Sequence, residues 1–111
     1  MVSKPQIIDL RAKILKDTCK YQYVDVKRKS TRLFSGADPD MKLLVIDFSI
    51  SYDGRNWINC QDHISLEGES LTSKKSFDEI AQKYFKAVAD STEKDGINHV
   101  KYSEDAYVFH R

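Results

Sequence analysis

The chain has 111 residues, 41% hydrophobic and 32% charged, with four Gly and two Pro, a balance that suits one globular domain over 1–111 and excludes a low-complexity or disordered composition. No apolar run approaches the roughly 18 residues of a membrane span, and the first twenty residues alternate charged and apolar side chains, so no span, no secretory leader and a cytoplasmic location are expected. The net charge of +1 conceals an asymmetry: residues 1–35 hold nine Lys or Arg against three Asp, whereas 36–111 hold nine basic against fourteen acidic residues. Either the halves neutralise each other in the fold or a basic face is offered to an acidic partner.

Ser3, Pro5 and Gln6 read as a helix start, with Ser3 as the cap and Gln6 three residues on. Ile7, Ile8, Leu10, Ile14 and Leu15 then give an apolar stripe running to about Cys19, with Lys13, Lys16 and Lys20 as a ridge on the other side. Tyr21 to Val26, rich in aromatic and β-branched residues, predicts a short strand. The segment from Lys27 to Asp40 has no periodicity and contains Gly36 and Pro39, so it predicts a long loop. Its opening Lys27, Arg28 and Lys29 are a basic run of the type used for nuclear localisation or next to phosphorylation sites, and also of the type that is simply solvated.

Lys42 to Tyr52 is the clearest strand: Leu44, Ile46, Phe48, Ile50 and Tyr52 point one way, and Val45, Asp47, Ser49 and Ser51 the other. Asn56 to Leu66 forms its return. A two-residue turn at Asp53-Gly54 would set Asn59, Gln61 and His63 opposite Phe48, Ile46 and Leu44, placing polar side chains in the core. A three-residue loop, Tyr52-Asp53-Gly54, pairs Phe48 with Ile58 and Ile46 with Cys60. That choice puts Trp57, the only tryptophan, on the polar face with Ser49, Ser51, Asn59, Gln61 and His63.

Ser76 and Glu79 make a capping box before an apolar stripe of Phe77, Ile80, Ala81, Tyr84, Phe85 and Val88, and Gly96 ends the predicted helix. The tail has strand composition on both sides of Ser103-Glu104-Asp105, as one bent strand or a small hairpin. The expected fold is α+β: an antiparallel sheet of four or five strands with two helices mainly on one face, in the order α-β-β-β-α-β with a further strand if the tail is a hairpin.

Cys19 and Cys60 lie far apart and read as small core thiols, not as a disulfide. His63, His99 and His110 are scattered and no paired cysteines accompany them, so no metal site and no cofactor are expected. No glycine-rich phosphate loop and no Gly-x-Ser-x-Gly elbow occurs, and no catalytic residue is nominated.

Two partial resemblances stand out. Asp47 in a long strand, Glu79 on the next helix and Asp105 after the following strand form an order that resembles the ribonuclease H family over roughly residues 43–110. That likeness implies carboxylates holding two divalent metals for phosphodiester hydrolysis, although the family's third strand before the helix and the glycine beside its first acid have no counterpart here. The layout of helix, strands and a helix opened by Lys74 and Lys75 is similar to a double-stranded RNA-binding domain, which implies that these lysines hold phosphates. Against both stands the reading from composition and patches: a non-enzymatic binding protein, a small regulatory or inhibitory accessory module of the type viruses and mobile elements encode. It would dock on a protein partner, with a nucleic acid as the alternative and no membrane. The candidate contact residues are Trp57, Arg55, His63 and Tyr52, the ridge of Lys13, Lys16 and Lys20, and the run of Lys27, Arg28 and Lys29, with the acidic segment around Glu67 and Glu69 as a further patch. Trp57 is either such an anchor or is covered by the first helix or by Tyr107 and Phe109, cover being the commoner outcome.

Overall fold

A computed structural model describes residues 6–35, 42–65 and 74–111. Among these the elements run β1 (Gln6–Ile7), α1 (Leu10–Asp17), β2 (Val24–Ser35), β3 (Lys42–Ser51), β4 (Trp57–Ser65), α2 (Lys74–Glu93), β5 (Asn98–Ser103) and β6 (Ala106–His110). The strands form one six-stranded sheet in the order β1-β4-β3-β2-β6-β5. All neighbours are antiparallel except β1, which runs parallel to β4. The α+β class and the two helices match the expectation; the sheet is larger and mixed, not a four- or five-stranded antiparallel one.

β3 is the central strand, and its alternation sets the layers. Leu44, Ile46, Phe48 and Ile50 are buried, and they face a core shared with Leu10 and Ile14 of α1 and Ala81, Phe85, Val88 and Ala89 of α2. Phe85 packs edge-on against Phe48 with ring centroids 5.3 Å apart and against Tyr107 at 4.4 Å. Both helices therefore lie on one side of the sheet, because only that side of β3 is apolar along its length.

Several sequence expectations are corrected. The first helix starts at Leu10, not near Pro5: Asp9 is its cap, accepting the Ala12 N–H at 3.1 Å, and the Leu10 N–H is spent on Asp62 at 3.0 Å. Ahead of it Gln6–Ile7 adds to the edge of β4, and the Ile8 N–H continues that pairing to the Gln61 carbonyl at 2.8 Å. Ser3 and Pro5 lie outside the described residues.

The predicted loop after Val26 is strand as far as Ser35. Its periodicity fails because of a β-bulge at Lys29: Val24 and Val26 point to the core before it, Thr31 and Leu33 after it, so the inward parity switches from even to odd. The remainder of that segment, with Gly36 and Pro39, lies outside the described residues. Tyr21 falls before the strand and stacks on Tyr52, with centroids 3.8 Å apart.

The β3–β4 connection keeps the predicted odd parity but is five residues long. Ile50 pairs with Ile58 and Phe48 with Cys60, a shift of two residues from the expected register. The cause is Asp53, whose carboxylate gathers the backbone N–H groups of Asn56 and Arg55, both at 2.8 Å, and the Asn56 side-chain amide at 2.6 Å. These donors hold its pKa far below the usual carboxylate range. Gly54 sits at φ +76°, a conformation that favours glycine.

α2 begins at Lys74, two residues before the Ser76 that the capping box would make its boundary. Gly96 ends the segment as expected, at φ +83°, with the Ile97 N–H returning to the Thr92 carbonyl at 3.1 Å. The tail is a hairpin, β5 with β6. Cys60 is a buried free thiol, whereas Cys19 is exposed at the end of α1 and not a core residue. No described helix is long and apolar enough to cross a membrane.

Phe85→Ala should lower the unfolding free energy by about 3–5 kcal/mol in urea denaturation, through the cavity left between Phe48 and Tyr107. Lys16→Ala, on the exposed side of α1, should change it by less than about 0.5 kcal/mol.

Candidate functional site

With both helices on one side, no described helix covers the other, open face of the sheet, although Val45, Ser49 and Ser51 in its middle strand are buried by their neighbours. Strand register defines its rows. Val100, Val108, Asp25, Ser51 and Trp57 are successive partners across β5, β6, β2, β3 and β4. The next row is Ala106, Lys27, Ser49 and Asn59, and beyond the bulge come Ser30, Asp47 and Gln61, then Arg32, Val45 and His63.

Trp57 lies at one edge of this face, half-buried, with the Lys27 ammonium 4.6 Å from its ring centroid. The β2–β3–β4 register puts Lys27 diagonal to Trp57, so the lysine stem can lie over the indole while the charge meets the ring face. The expected covering groups are elsewhere: Tyr107 and Phe109 are core residues, and α1 packs on the opposite side.

The centre of the face is polar and internally bonded. Asp47 accepts hydrogen bonds from Ser30 Oγ at 2.7 Å, Gln61 Nε2 at 3.2 Å and Arg32 at 3.3 Å. His63 Nε2 stands 3.1 Å from Gln61 Oε1. The Tyr102 hydroxyl donates to Asp25, and burial together with that carboxylate raises the Tyr102 pKa. Around this network stand exposed apolar groups: Phe34 is 53% exposed, Val100 57% and Tyr102 47%.

The ten residues proposed from sequence do not form one patch. Trp57, Lys27 and His63 share the open face, and Arg55 is exposed on the turn beside it. Tyr52 is on the helix side, where its hydroxyl donates to Asp17 and its ring packs on Tyr21, so it is not a neighbour of Trp57. Lys13 is committed to the same cluster through Asp17 at 3.2 Å. Burial disfavours its charge, but Asp17 and Tyr52 outweigh that and raise its pKa. Lys16, Lys20 and Lys29 are exposed.

Arg28 is withdrawn from any partner. Its side chain is only 7% exposed and joins three elements: Nη2 reaches Asp105 at 2.6 Å, and Nη1 reaches Asp78 of α2 at 3.0 Å and Thr31 at 2.7 Å. A basic run in the sequence has no mark that separates this anchor from the exposed lysines on either side; the bulge and the two facing acids do that. Asp62 is a second tie that the sequence does not announce. It is a buried acid on the core side of β4, accepting from the Leu10 N–H and from the Tyr84 hydroxyl. Burial first, then the charge of Asp62, raises the Tyr84 pKa.

The ribonuclease-H-like acids do not converge. Asp47 is on the open face, whereas Asp105 is clamped by Arg28 on the helix side and Glu79 is on α2. Lys74 and Lys75 fall in the first turn of α2 by backbone; their side chains, with Glu67 and Glu69, are outside the described residues. No protein-family model matches the chain, and neither the curated proteins nor the solved structures yield a match.

Two measurements check this geometry. Because Trp57 is the only tryptophan, its fluorescence reports the open face alone: Lys27→Ala should uncover the indole and raise its acrylamide quenching constant, with a stability loss of only about 0.5–1 kcal/mol. The Tyr52 pKa is pushed up to about 12, by burial first and then by Asp17. A tyrosine ordinarily titrates near pH 10, so the folded state holds this proton where the unfolded chain releases it. The stabilisation is complete below about pH 10 and is lost as pH rises towards 12; Tyr52→Phe should flatten that part of the stability–pH profile in urea titrations.

Proposed function

We propose that this protein is a binding module without catalytic activity of its own, docking on a protein partner through the open sheet face around Trp57. The observation that carries the reading is the one-sided placement of the helices, which leaves the only tryptophan, half-buried, on a sheet face that no described helix covers. A tryptophan held by a lysine stem and flanked by a bonded polar network has the makeup of an anchor inside a polar rim. Phe34, Val100 and Tyr102 extend the apolar part of the surface towards both ends of the sheet.

Charge favours a protein over a nucleic acid. Lys27 and Arg32 are offset on the same face by Asp25 and Asp47, and two acids in the middle of a surface repel a phosphate backbone. Arg28, the strongest phosphate ligand of the basic run, is already bound to Asp105 and Asp78.

A photo-crosslinking amino acid placed at position 34 or 59 in the native host should capture a discrete protein, and one at position 16 should not. Trp57→Ala should weaken that complex by about 2 kcal/mol, roughly thirtyfold in Kd. Crosslinks confined to position 16, or Trp57 fluorescence that shifts saturably with an oligonucleotide at low salt, would overturn the assignment.

A further inference from the structure

At the C-terminal end of α2, away from the open face, Asp90 and Glu93 of the helix meet His99 of β5. One carboxylate oxygen from each acid and one ring nitrogen of His99 lie within 4.8 Å of one another. The three belong to a ten-residue stretch in which Gly96 and the turn around it fold β5 back beside the helix, so that residues three apart on α2 face a residue on the strand.

Two further observations indicate a ligand there. His99 Nδ1 is shut off from solvent and has no hydrogen-bond partner among the described residues. Glu93 Oε1 stands 3.3 Å away, close enough for an ion pair yet not in hydrogen-bond geometry. A buried ring nitrogen without a partner is costly. Atoms that converge on a third point meet this way: two ligands about 2.0–2.1 Å from a tetrahedral zinc ion stand about 3.3 Å from each other. Second, the last turn of α2 carries both acids and no basic residue. The helix dipole places partial negative charge at that end, so the two carboxylates are set where anions are disfavoured and a cation is favoured.

From this geometry we infer that Asp90, Glu93 and His99 form a binding site for a first-row divalent metal ion, zinc foremost, that pins the edge strand β5 to the end of α2. One imidazole with two carboxylates is a donor set that zinc accepts, leaving a fourth position for water. His99 is held for the role by its neighbours, edge-on to Tyr107 at 5.6 Å and beside Phe109 at 6.1 Å. Asp90 also accepts from Lys86 at 2.9 Å. Being exposed, its carboxylate can close the remaining gap by a change of rotamer while one oxygen keeps the lysine. The sequence does not announce this set, because its donors are two carboxylates and one histidine and not clustered histidines or paired cysteines. The site is independent of the docking face, and either assignment stands or falls without the other.

The test uses the full chain, chelator-treated and free of any polyhistidine tag, titrated with zinc by calorimetry and with cobalt by visible absorption. One equivalent should bind, with a cobalt band of low-coordinate intensity, and Tm should rise by about 5 °C or more at a hundredfold excess of zinc over Kd. Glu93→Gln and Asp90→Asn preserve shape at exposed positions and should each weaken binding at least about tenfold while leaving the metal-free Tm within about 2 °C. Absence of saturable binding up to millimolar zinc overturns the inference. So does binding that is unchanged in both variants, which would place the ion elsewhere on the chain.

Discussion

Burial of one face of β3 against two helices is the constraint on which the rest of this fold depends. Ile46, Phe48 and Ile50 meet Phe85 and the apolar sides of α1 and α2, while Val45, Asp47, Ser49 and Ser51 look the other way. At about 25 cal/mol per Å² of apolar surface removed from water, such a layer supplies most of the favourable free energy of a domain this size. The same polarity of β3 leaves its second face without an apolar reason to attract a helix. The open face is thus a direct consequence of how the core is built, and it is where Trp57 stands.

Buried polar groups set the positions of elements that hydrophobic burial alone would leave free to slide. Arg28 crosses from β2 to α2 and to the β5–β6 turn, satisfying Asp78, Asp105 and Thr31 at once. Asp62 ties the start of α1 and the Tyr84 hydroxyl of α2 to β4. Each tie has the geometry that makes polar burial tolerable, with an ionised group meeting several donors or acceptors. Both explain residues that composition would have assigned to the surface. Arg28 in particular is a structural clasp in the middle of a basic run, and the charge asymmetry of the N-terminal third is partly absorbed by such pairs.

The two ends of α2 have different characters. Near its start, Asp78 completes the Arg28 clasp. Near its end, Asp90 and Glu93 oppose the dipole and face a histidine nitrogen that lacks a hydrogen-bond partner among the described residues. A helix whose packing side is fully explained by the core still carries, on its flank, a group of atoms that the core does not explain. Docking on the open face and metal binding beside β5 would occupy different surfaces, so the scaffold can serve both without conflict.

The sequence by itself determined whatever rests on local periodicity or on a single turn. The alternation of β3 and β4 placed Trp57 on the polar face through parity alone, which survives a two-residue error in register because the side-chain repeat is two. The stripe of α2 and its stop at Gly96 were legible for the same reason. Tertiary structure decided what depends on contacts between distant segments. The bulge at Lys29 exchanged the inward parity of β2 in mid-strand and made a strand look like a loop. The parallel edge pairing of Gln6–Ile7 and the capping by Asp9 with Asp62 took the first turn away from the helix its spacing suggested. Arg28 became buried, Tyr52 left the neighbourhood of Trp57, and Asp90, Glu93 and His99 came together, each because two elements far apart or folded back on each other met. No one-dimensional pattern encodes such meetings, since their energy belongs to pairs of atoms that only the folded chain brings within reach.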